Sequence, residues 1–362
     1  MPNGISSLKN LRFAIAFFLF STVLGPACNR EPVSLYRGFY HWQTKFQISD
    51  LEKEYLAALS IQKLYVKFFD VDWDFQKSEA IALATLQYDA SSQLTIPVIP
   101  TIFITNRTLE QIDANELENL AAKIHKKIIT QWIQFSPFVL NEIQFDCDWT
   151  MDTKEKYFRL LTLLSQKFSK NTVQLSATIR LHQIKYAEET GVPPVERGML
   201  MYYNMGAISD MGTKNSILDN DIGAQYLNLD NYPLPLDLAL PLFRWGTVFR
   251  NQKLVKLINN LDSSKLVGDN RFTQIKDNYW QVAKSTYFDA YYLYQGDIIR
   301  LESVTFAQLQ EAAFLLKKNF PLIDRTIVFY HLDETILKDF EINQLEQVMN
   351  RFNNFENESP EK

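Results

Sequence analysis

Hydrophobic and polar positions alternate with a period of two in several short runs of the chain, a pattern typical of β-strands. Segments whose apolar residues recur three to four positions apart, as in helices, separate most of these runs. The predicted strands are residues 36–42, 64–69, 94–104, 142–149, 172–179, 198–204, 236–243 and 326–331. The predicted helices are residues 49–59, 78–87, 109–135, 154–168, 217–227 and 306–318.

Regular alternation of strands and helices indicates a parallel sheet, because neighbouring parallel strands need a crossover connection. Eight such strands predict that the sheet closes on itself, and a chain of 362 residues lies within the size range of one barrel. The predicted fold is therefore α/β, a (β/α)8 TIM barrel, with residues 28–352 as a single domain.

The fourth and fifth predicted strands indicate which side chains face the barrel interior. Their apolar residues alternate with polar ones, so one face of each strand suits packing against helices. We predict that Asp146, Asp148 and Arg180 point into the barrel, with Cys147 and Trp149 pointing outward. Polar groups inside a sheet cost free energy unless they are hydrogen-bonded or used, so these strands predict a site.

The alternation is interrupted between the seventh strand and the helix at residue 306. This segment holds a predicted short helix at residues 252–260 and then an aromatic-rich stretch. We interpret it as a small β-rich insertion, at about residues 262–304, on the top face of the barrel. Its aromatic residues suit a small core better than a glycan-binding surface. Residues 353–362 are polar and predicted to be disordered.

The N-terminal residues have the order of an export signal. Lys9 and Arg12 precede an apolar run at residues 13–24, and small residues then lead to Cys28. The run has about a dozen residues, whereas a membrane-spanning helix needs roughly 20, so we predict a signal peptide at residues 1–27. Cys28 resembles the acylated cysteine of the bacterial lipobox. That resemblance implies a lipid anchor on the periplasmic side or cell surface of a bacterial membrane; the alternative is secretion with a free thiol.

Composition limits the classes of partner. The other cysteine, Cys147, has no disulfide partner if Cys28 is lipidated, and we predict that it is a buried apolar residue. Loss of the two basic residues of the signal changes the formal net charge from −5 to −7, which argues against nucleic acid or an anionic lipid surface as partner. Aromatic residues make up 14% of the chain, which suits a large core and also stacking surfaces for sugars.

Active sites of (β/α)8 barrels lie at the C-terminal ends of the strands, where this sequence places mostly acids, tyrosines and tryptophans. Carboxylates bind sugar hydroxyls or cleave the glycosidic bond, and aromatic faces stack on pyranose rings. We take Asp146 and Asp148 as candidate catalytic residues. The candidate substrate-binding residues are His41, Trp42, Lys67, Arg180, Tyr202, Tyr203, Asn204, Trp245 and Asp333.

Two short motifs resemble those of chitinase-type glycoside hydrolases. Residues 144–150 (QFDCDWT) resemble the family's fourth-strand pattern D-x-D-x-E, and residues 201–204 (MYYN) resemble its sixth-strand M-x-Y-D. The whole chain is also similar to a bacterial lipoprotein family with a glycosidase-like TIM barrel, through residues 39–42 (FYHW), 144–148 (QFDCD) and 202–206 (YYNMG). These resemblances imply a glycosidase-like barrel with a carbohydrate ligand.

Departures from the chitinase motif bear on catalysis. The glutamate that ends the motif is the family's general acid, and Thr150 stands in its place. A threonine cannot protonate a leaving oxygen near neutral pH. Asn204 replaces the aspartate of the sixth-strand motif. The resemblance implies that Asp148 orients an acetamido group and that Asp146 is structural, in a barrel that binds glycan without the chitinase mechanism.

Apart from the resemblance, the residues leave open which pair of acids would catalyse hydrolysis. Asp146 and Asp148 are roughly 6–7 Å apart at Cα if both lie in one strand. That spacing excludes neither retaining nor inverting hydrolysis. Acids from other strands are further candidates, namely Asp70, Asp72, Asp333 and Glu334.

The charged candidates also have a structural interpretation. Arg180 on the neighbouring strand would form an ion pair with Asp148, which would keep that carboxylate charged and oppose a role as acid. Lys67 would serve Asp146 in the same way.

Metal and cofactor chemistry are not expected. His41, His182 and His331 lie near strand ends, but they lack the close spacing of histidine metal sites. The sequence has no glycine-rich phosphate loop and no G-x-S-x-G motif, so we expect no cofactor and no serine-hydrolase triad.

The sequence therefore predicts a membrane-anchored, monomeric barrel that binds or hydrolyses a carbohydrate around Asp146 and Asp148. The alternative is a non-catalytic glycan-binding or cell-envelope interaction protein on the same fold, because fold does not fix function. An acid that faces a cleft and lacks a basic partner would favour hydrolysis.

Overall fold

The structure is a computed structural model that describes residues 34–89, 95–169, 172–227, 232–321 and 323–353. The predicted signal peptide at 1–27 and Cys28 lie outside these ranges, as does the predicted tail beyond residue 353. Within the described ranges, no helix combines the length and the apolar character that crossing a membrane requires.

Strands and helices alternate along much of the described chain. The strands are β1 (Leu35–His41), β2 (Lys45–Phe46), β3 (Lys63–Asp74), β4 (Glu79–Leu83), β5 (Gln87–Tyr88), β6 (Val98–Ile104), β7 (Glu142–Asp146), β8 (Gln174–Arg180), β9 (Arg197–Met201), β10 (Leu236–Pro241), β11 (Trp245–Arg250), β12 (Lys253–Asn259), β13 (Phe272–Lys276), β14 (Tyr279–Val282), β15 (Thr286–Phe288), β16 (Tyr291–Leu293), β17 (Ile298–Glu302) and β18 (Arg325–Tyr330). The helices are α1 (Asp50–Ala58), α2 (Asn106–Gln111), α3 (Leu117–Trp132), α4 (Lys154–Phe168), α5 (Leu181–Lys185), α6 (Ala187–Thr190), α7 (Asn220–Ala224), α8 (Phe306–Asn319), α9 (Glu334–Leu337) and α10 (Ile342–Asn350).

Eight of these strands form a closed parallel barrel, which confirms the predicted (β/α)8 TIM fold. The hydrogen-bonded order is β1, β18, β10, β9, β8, β7, β6 and β3, and β3 pairs back with β1. Every pairing in this ring is parallel. The C-terminal ends of the eight strands therefore meet at one end of the barrel, where the candidate site residues were expected.

Local sequence signals account for several barrel helices. The hydroxyl of Ser49 accepts a hydrogen bond from the Glu52 N–H, and the Glu52 carboxylate accepts one from the Ser49 N–H, a capping box that starts α1. Thr305 and Gln308 form the same arrangement at the start of α8. The helices predicted at residues 49–59, 154–168 and 306–318 are confirmed within one residue at each end.

The helix predicted at residues 78–87 is wrong. The chain continues from β3 through a turn and returns as β4, which pairs antiparallel with β3, so that Asp74 lies opposite Glu79. A short apolar run fits the helical and the strand period equally well. Pairing with the unusually long β3 decides in favour of the strand.

The segment after β10 forms a separate five-stranded antiparallel sheet, in the order β12, β11, β17, β14 and β13. It has a hydrophobic core of its own, to which Val248, Trp280 and Ile299 belong. The short helix predicted at residues 252–260 is wrong, because this stretch is mostly β12. The sheet therefore begins earlier than the predicted residue 262.

A buried ion pair joins this sheet to the loop after β9. Arg300 and Glu302 pair at 2.5 Å and are 0% and 3% exposed. Arg300 also donates to the backbone carbonyls of Asp210 at 2.6 Å and Ile208 at 3.2 Å. Glu302 accepts hydrogen bonds from the backbone N–H and the hydroxyl of Ser216. One side-chain pair thus holds the loop against the sheet.

Replacing Glu302 with alanine should strongly destabilise the protein. Glu302→Ala leaves the Arg300 guanidinium buried without a carboxylate, so the free energy of unfolding should fall by roughly 3–5 kcal/mol. Equilibrium urea unfolding measures the difference. The matched control is Glu79→Ala, which removes an ion pair with Lys123 (3.2 Å) whose partners are 45% and 52% exposed and should cost at most about 1 kcal/mol. Equal losses in the two variants would contradict this role for the buried pair.

Candidate functional site

A cavity of about 370 Å³ opens at the C-terminal ends of the barrel strands. This is the end at which barrels of this fold place their ligands. Its aromatic lining residues are Trp42, Tyr203, Phe243, Trp245 and Tyr330. Its polar lining residues are Gln43, Asp146, Arg180, Asn204, Arg244, Asn259, Asn260, His331 and Asp333.

The strand β7 places Asp146 inside the barrel and ends there. Asp146 is 5% exposed and accepts a hydrogen bond from the Thr178 hydroxyl of β8 at 2.6 Å. The side chain of Asp148, two residues beyond the strand end, is 55% exposed. The prediction that Asp148 points into the barrel is therefore wrong, because strand alternation stops before it. Trp149 packs outward as predicted and stacks on Tyr157 of α4 at 5.2 Å.

Among the acids that line the cleft, Asp146 has a pKa raised toward neutrality. Burial raises the pKa of its carboxyl to about 6, against the opposing effect of the Arg180 charge. The carboxylate of Asp148 raises it further, and the hydrogen bond from Thr178 lowers it. Among the described residues no basic side chain forms an ion pair with Asp146. Asp146 can therefore hold or release a proton near neutral pH while it faces the cavity.

Arg180, at the end of β8, forms its ion pair with Asp148 through Nε and Oδ1. Burial alone would lower the pKa of Arg180, but the charges of Asp148 and Asp146 raise it above its usual value. The expected pair of Arg180 and Asp148 is thus present, although at the rim instead of in the interior. The expected pairing of Lys67 with Asp146 is wrong, since Lys67 pairs with Asp70 at 3.1 Å.

A second cavity of about 260 Å³ adjoins the first. Arg180, Tyr203 and Asn204 line both cavities, so the two are adjacent parts of one cleft across the barrel mouth. The second part adds Asp148, Leu181, His182, Met205 and Tyr226 to the lining.

Aromatic rings form one wall of the cleft. Tyr330 stacks on Tyr203 with 5.2 Å between ring centroids, and it meets Trp42 at 5.5 Å and Phe243 at 5.8 Å. Phe243 in turn packs against Trp245 at 5.2 Å. Such mutual contacts fix the orientation of the rings before any ligand arrives.

Two further contacts hold residues at the cleft rim in place. The Trp245 indole donates to the Glu302 carboxylate at 3.2 Å. Asp333 accepts from the Asn260 amide at 3.1 Å and from the Thr335 N–H at 2.8 Å. Burial alone would raise the pKa of Asp333, but these hydrogen bonds lower it below its usual value.

Most of the predicted site residues line the cleft. They are Asp146, Asp148, Trp42, Arg180, Tyr203, Asn204, Trp245 and Asp333. Three other predicted substrate-binding residues do not line the cleft, so their predicted role is wrong. Tyr202 faces α7, which packs so closely on it that a side chain at Gly223 would meet its hydroxyl. His41 is fully buried against Phe46 at 4.9 Å. Lys67 lies beneath the cleft, with Nζ 5.6 Å from the Trp42 ring.

Sequence reasoning missed Phe243, Tyr330, Asn259 and Asn260. Tyr330 is the last residue of β18, and its ring lines the cavity and stacks on Tyr203. The two asparagines were hidden by the helix predicted in their segment. Their place at the cleft depends on the insertion sheet returning to the barrel mouth, for which the chain has no local signal.

The motif position of the chitinase acid lies outside the cleft lining. The Thr150 hydroxyl lies 3.3 Å from that of Thr153, and its N–H donates to the same group at 2.9 Å. Among the described residues, no cluster of three or more histidine, cysteine, aspartate or glutamate side chains is arranged to hold a metal ion.

Comparison with known proteins supports the fold at low sequence identity. The chain matches no family model and no curated protein sequence. Among solved structures, it is similar to the spore cortex-lytic enzyme SleL of Bacillus megaterium, with a TM-score of 0.54 and 13% identity over 89% of this chain and 75% of that one. It is also similar to the Group IV chitinase of Ostrinia furnacalis, with a TM-score of 0.51 and 11% identity over 89% of this chain and 100% of that one. At this identity the likeness shows the (β/α)8 barrel fold alone.

The raised pKa of Asp146 predicts a pH-dependent stability. The folded pKa of about 6 exceeds the ordinary value of 3.8, so the folded protein binds this proton more tightly than the unfolded chain does. The resulting stabilisation is fully present below about pH 4 and is lost as the pH rises through about 6. Relative to Asp146→Asn, the wild type should lose up to about 3 kcal/mol across this window.

Urea unfolding of both proteins at several pH values measures this loss. As a companion variant, Thr178→Val removes the hydrogen bond that lowers the Asp146 pKa, so the window should move to higher pH. Parallel pH profiles for wild type and Asp146→Asn would contradict the assignment.

Proposed function

We propose that the chain binds a carbohydrate in the cleft at the C-terminal mouth of the barrel. The observation that carries this proposal is an aromatic wall of mutually packed rings facing hydrogen-bonding groups across one cavity of about 370 Å³. Sugar rings present apolar C–H faces and hydroxyl edges, so they suit aromatic faces and polar groups together. The chitinase-like barrels of the structural neighbours support the same ligand class.

The polar groups of the cleft suit hydroxyls better than a charged ligand. Arg180 is already paired with Asp148, and Arg244 contacts both Asp262 and Asp339. Both cations are thus neutralised within the protein, and strong binding of an anion at the mouth is disfavoured. Asn204 remains at the junction of the two cavities as an uncharged donor and acceptor.

Hydrolysis of the bound carbohydrate is the second candidate function, and Asp146 favours it. A general acid needs a carboxyl whose pKa is raised toward neutral pH and which faces the substrate. Asp146 lines the cavity, and burial raises its pKa to about 6. With Thr150 at the motif position of the chitinase acid, such chemistry would depend on Asp146 in its place.

Binding to a glycan array should identify ligands that depend on the aromatic wall. For such a ligand, Trp245→Ala should weaken binding at least tenfold, because it removes a stacking face from the cleft rim. Tyr287→Ala is the matched control, since Tyr287 is 74% exposed and belongs to β15 of the insertion; it should bind like the wild type. Calorimetric titration with the selected glycan measures the difference.

The same titration separates binding from hydrolysis. If Asp146 is a general acid, Asp146→Asn should bind the selected glycan and leave it uncleaved, while the wild type releases shorter products on incubation. If the protein only binds, neither protein cleaves it. Equal binding by wild type and Trp245→Ala, or no glycan bound by the wild type, would contradict the proposal.

We further propose that the chain is exported and held on a bacterial membrane by a lipid on Cys28. The support is the order of Lys9, Arg12, the apolar run at residues 13–24 and the small residues before Cys28. A lipid anchor would hold the barrel at the membrane without a transmembrane helix.

Changing the acylated thiol should alter the location of the protein. Cys28→Ser should release it from the membrane fraction, or leave an unprocessed precursor there without lipid. Cys147→Ser is the matched control, because Cys147 is buried in the barrel wall, and it should stay lipidated. Absence of an acyl label on the wild type, measured by metabolic labelling with a fatty-acid analogue, would refute the anchor.

A further inference from the structure

A cavity of about 400 Å³ lies at the end of the barrel opposite the cleft. It adjoins the starts of β10 and β18 and the end of α8, and nothing in the sequence motifs refers to it. Polar and apolar surfaces line it in about equal parts, and the apolar part is formed by Leu234, Leu236, Phe320, Pro321 and Ile323. Three lining residues can donate hydrogen bonds from a side-chain cation or hydroxyl: Arg325, Lys318 and Tyr232.

Arg325 is a buried cation with an unused donor. It is 5% exposed, and its Nη1 has no hydrogen-bond partner among the described residues. Its Nη2 donates to the Pro321 carbonyl, and its guanidinium lies 5.2 Å from the centre of the Phe320 ring. A buried guanidinium with a free N–H is costly unless something accepts from it.

The nearby carboxylate does not neutralise Arg325. Asp237 is 2% exposed and pairs with Arg197 at 3.1 Å, and it also accepts from the Thr326 N–H at 2.6 Å. Burial lowers the pKa of Arg325 to about 10. The negative charge of Asp237 raises this pKa, and the positive charge of Arg197 lowers it further. Among the described residues, Arg197 and Arg325 therefore share the carboxylate of Asp237.

Tyr232 and Lys318 add donors to the same cavity. The Tyr232 hydroxyl is buried and has no hydrogen-bond partner in the described part of the chain. Lys318 lies in the last turn of α8 with Lys317, where the two cations offset the negative end of the helix dipole. Arg325, Tyr232 and Lys318 thus line one cavity, and among the described residues Nη1 of Arg325 and the Tyr232 hydroxyl have no hydrogen-bond partner.

We propose that this cavity binds a phosphate group carried by a ligand with an apolar part. A phosphate oxygen accepts from guanidinium, hydroxyl and ammonium donors together, and its charge balances that of the guanidinium. The apolar walls would cover the remainder of the ligand. This site is independent of the carbohydrate cleft, which lies at the other end of the strands.

The phosphate could come from a membrane lipid or from a small soluble molecule. The chain enters the barrel at this end, where Leu35 pairs with Arg325. The experiment therefore includes a lipid arm and a soluble arm.

Titration of the purified chain with inorganic phosphate, at constant ionic strength in chloride, tests the shared chemistry. Phosphate should raise the melting temperature in a saturable manner, because it binds the folded state. Arg325→Gln should weaken phosphate binding at least tenfold, and Tyr232→Phe should weaken it several-fold while its ring still fills the site. Arg159→Gln is the matched control, since Arg159 is exposed on α4, and it should leave the titration unchanged.

The second arm uses short-chain phosphatidylglycerol below its micelle concentration, with uncharged diacylglycerol as comparison. Tighter binding of the phospholipid than of inorganic phosphate assigns the site to a lipid headgroup, and equal binding assigns it to a soluble phosphate. Both results support the proposal if they depend on Arg325 and Tyr232. No saturable response to either probe in the wild type, or a response in Tyr232→Phe and Arg325→Gln equal to that of the wild type, overturns it.

Discussion

The carboxylate of Asp146 lies inside the barrel and forms no direct ion pair with any described residue, and the arrangement of the mouth depends on this constraint. Its direct partner is the Thr178 hydroxyl at 2.6 Å, while the direct ion pair of Arg180 is with Asp148. One guanidinium is therefore shared between an interior and a rim carboxylate. Because the sharing is unequal, burial dominates at Asp146 and keeps its pKa raised.

The insertion sheet completes the mouth that the barrel strands begin. Glu302 contacts Trp245 on one side and Ser216 on the other, so an aromatic residue of the cleft and the loop after β9 depend on the same carboxylate. That carboxylate is itself held by the buried Arg300. The geometry of the cleft is thus coupled to the stability of the sheet, so a substitution that weakens the sheet should also shift the cleft residues.

The periodicity of the chain predicts the barrel well, because each strand must bury one face against helices and this demand is visible locally. The same alternation predicts Asp146 in the interior. The alternation fails for Asp148 because β7 ends where its pairing with neighbouring strands stops. No residue in the sequence of β7 signals that end. The alternation also fails for Asn259 and Asn260 because their strand is defined by pairing with β11 in the insertion, a non-local contact.

The two ends of the barrel hold buried charged groups of opposite sign. Among the described residues, Asp146 at the mouth forms no direct ion pair, and Nη1 of Arg325 at the other end has no hydrogen-bond partner. Such groups persist only where a ligand, a proton or surrounding dipoles compensate them. A proton suffices for Asp146, since its pKa is near neutrality, but an arginine cannot be neutralised by losing one at physiological pH. The charge of Asp146 therefore depends on pH, whereas the charge of Arg325 would be balanced by the anion proposed for that cavity.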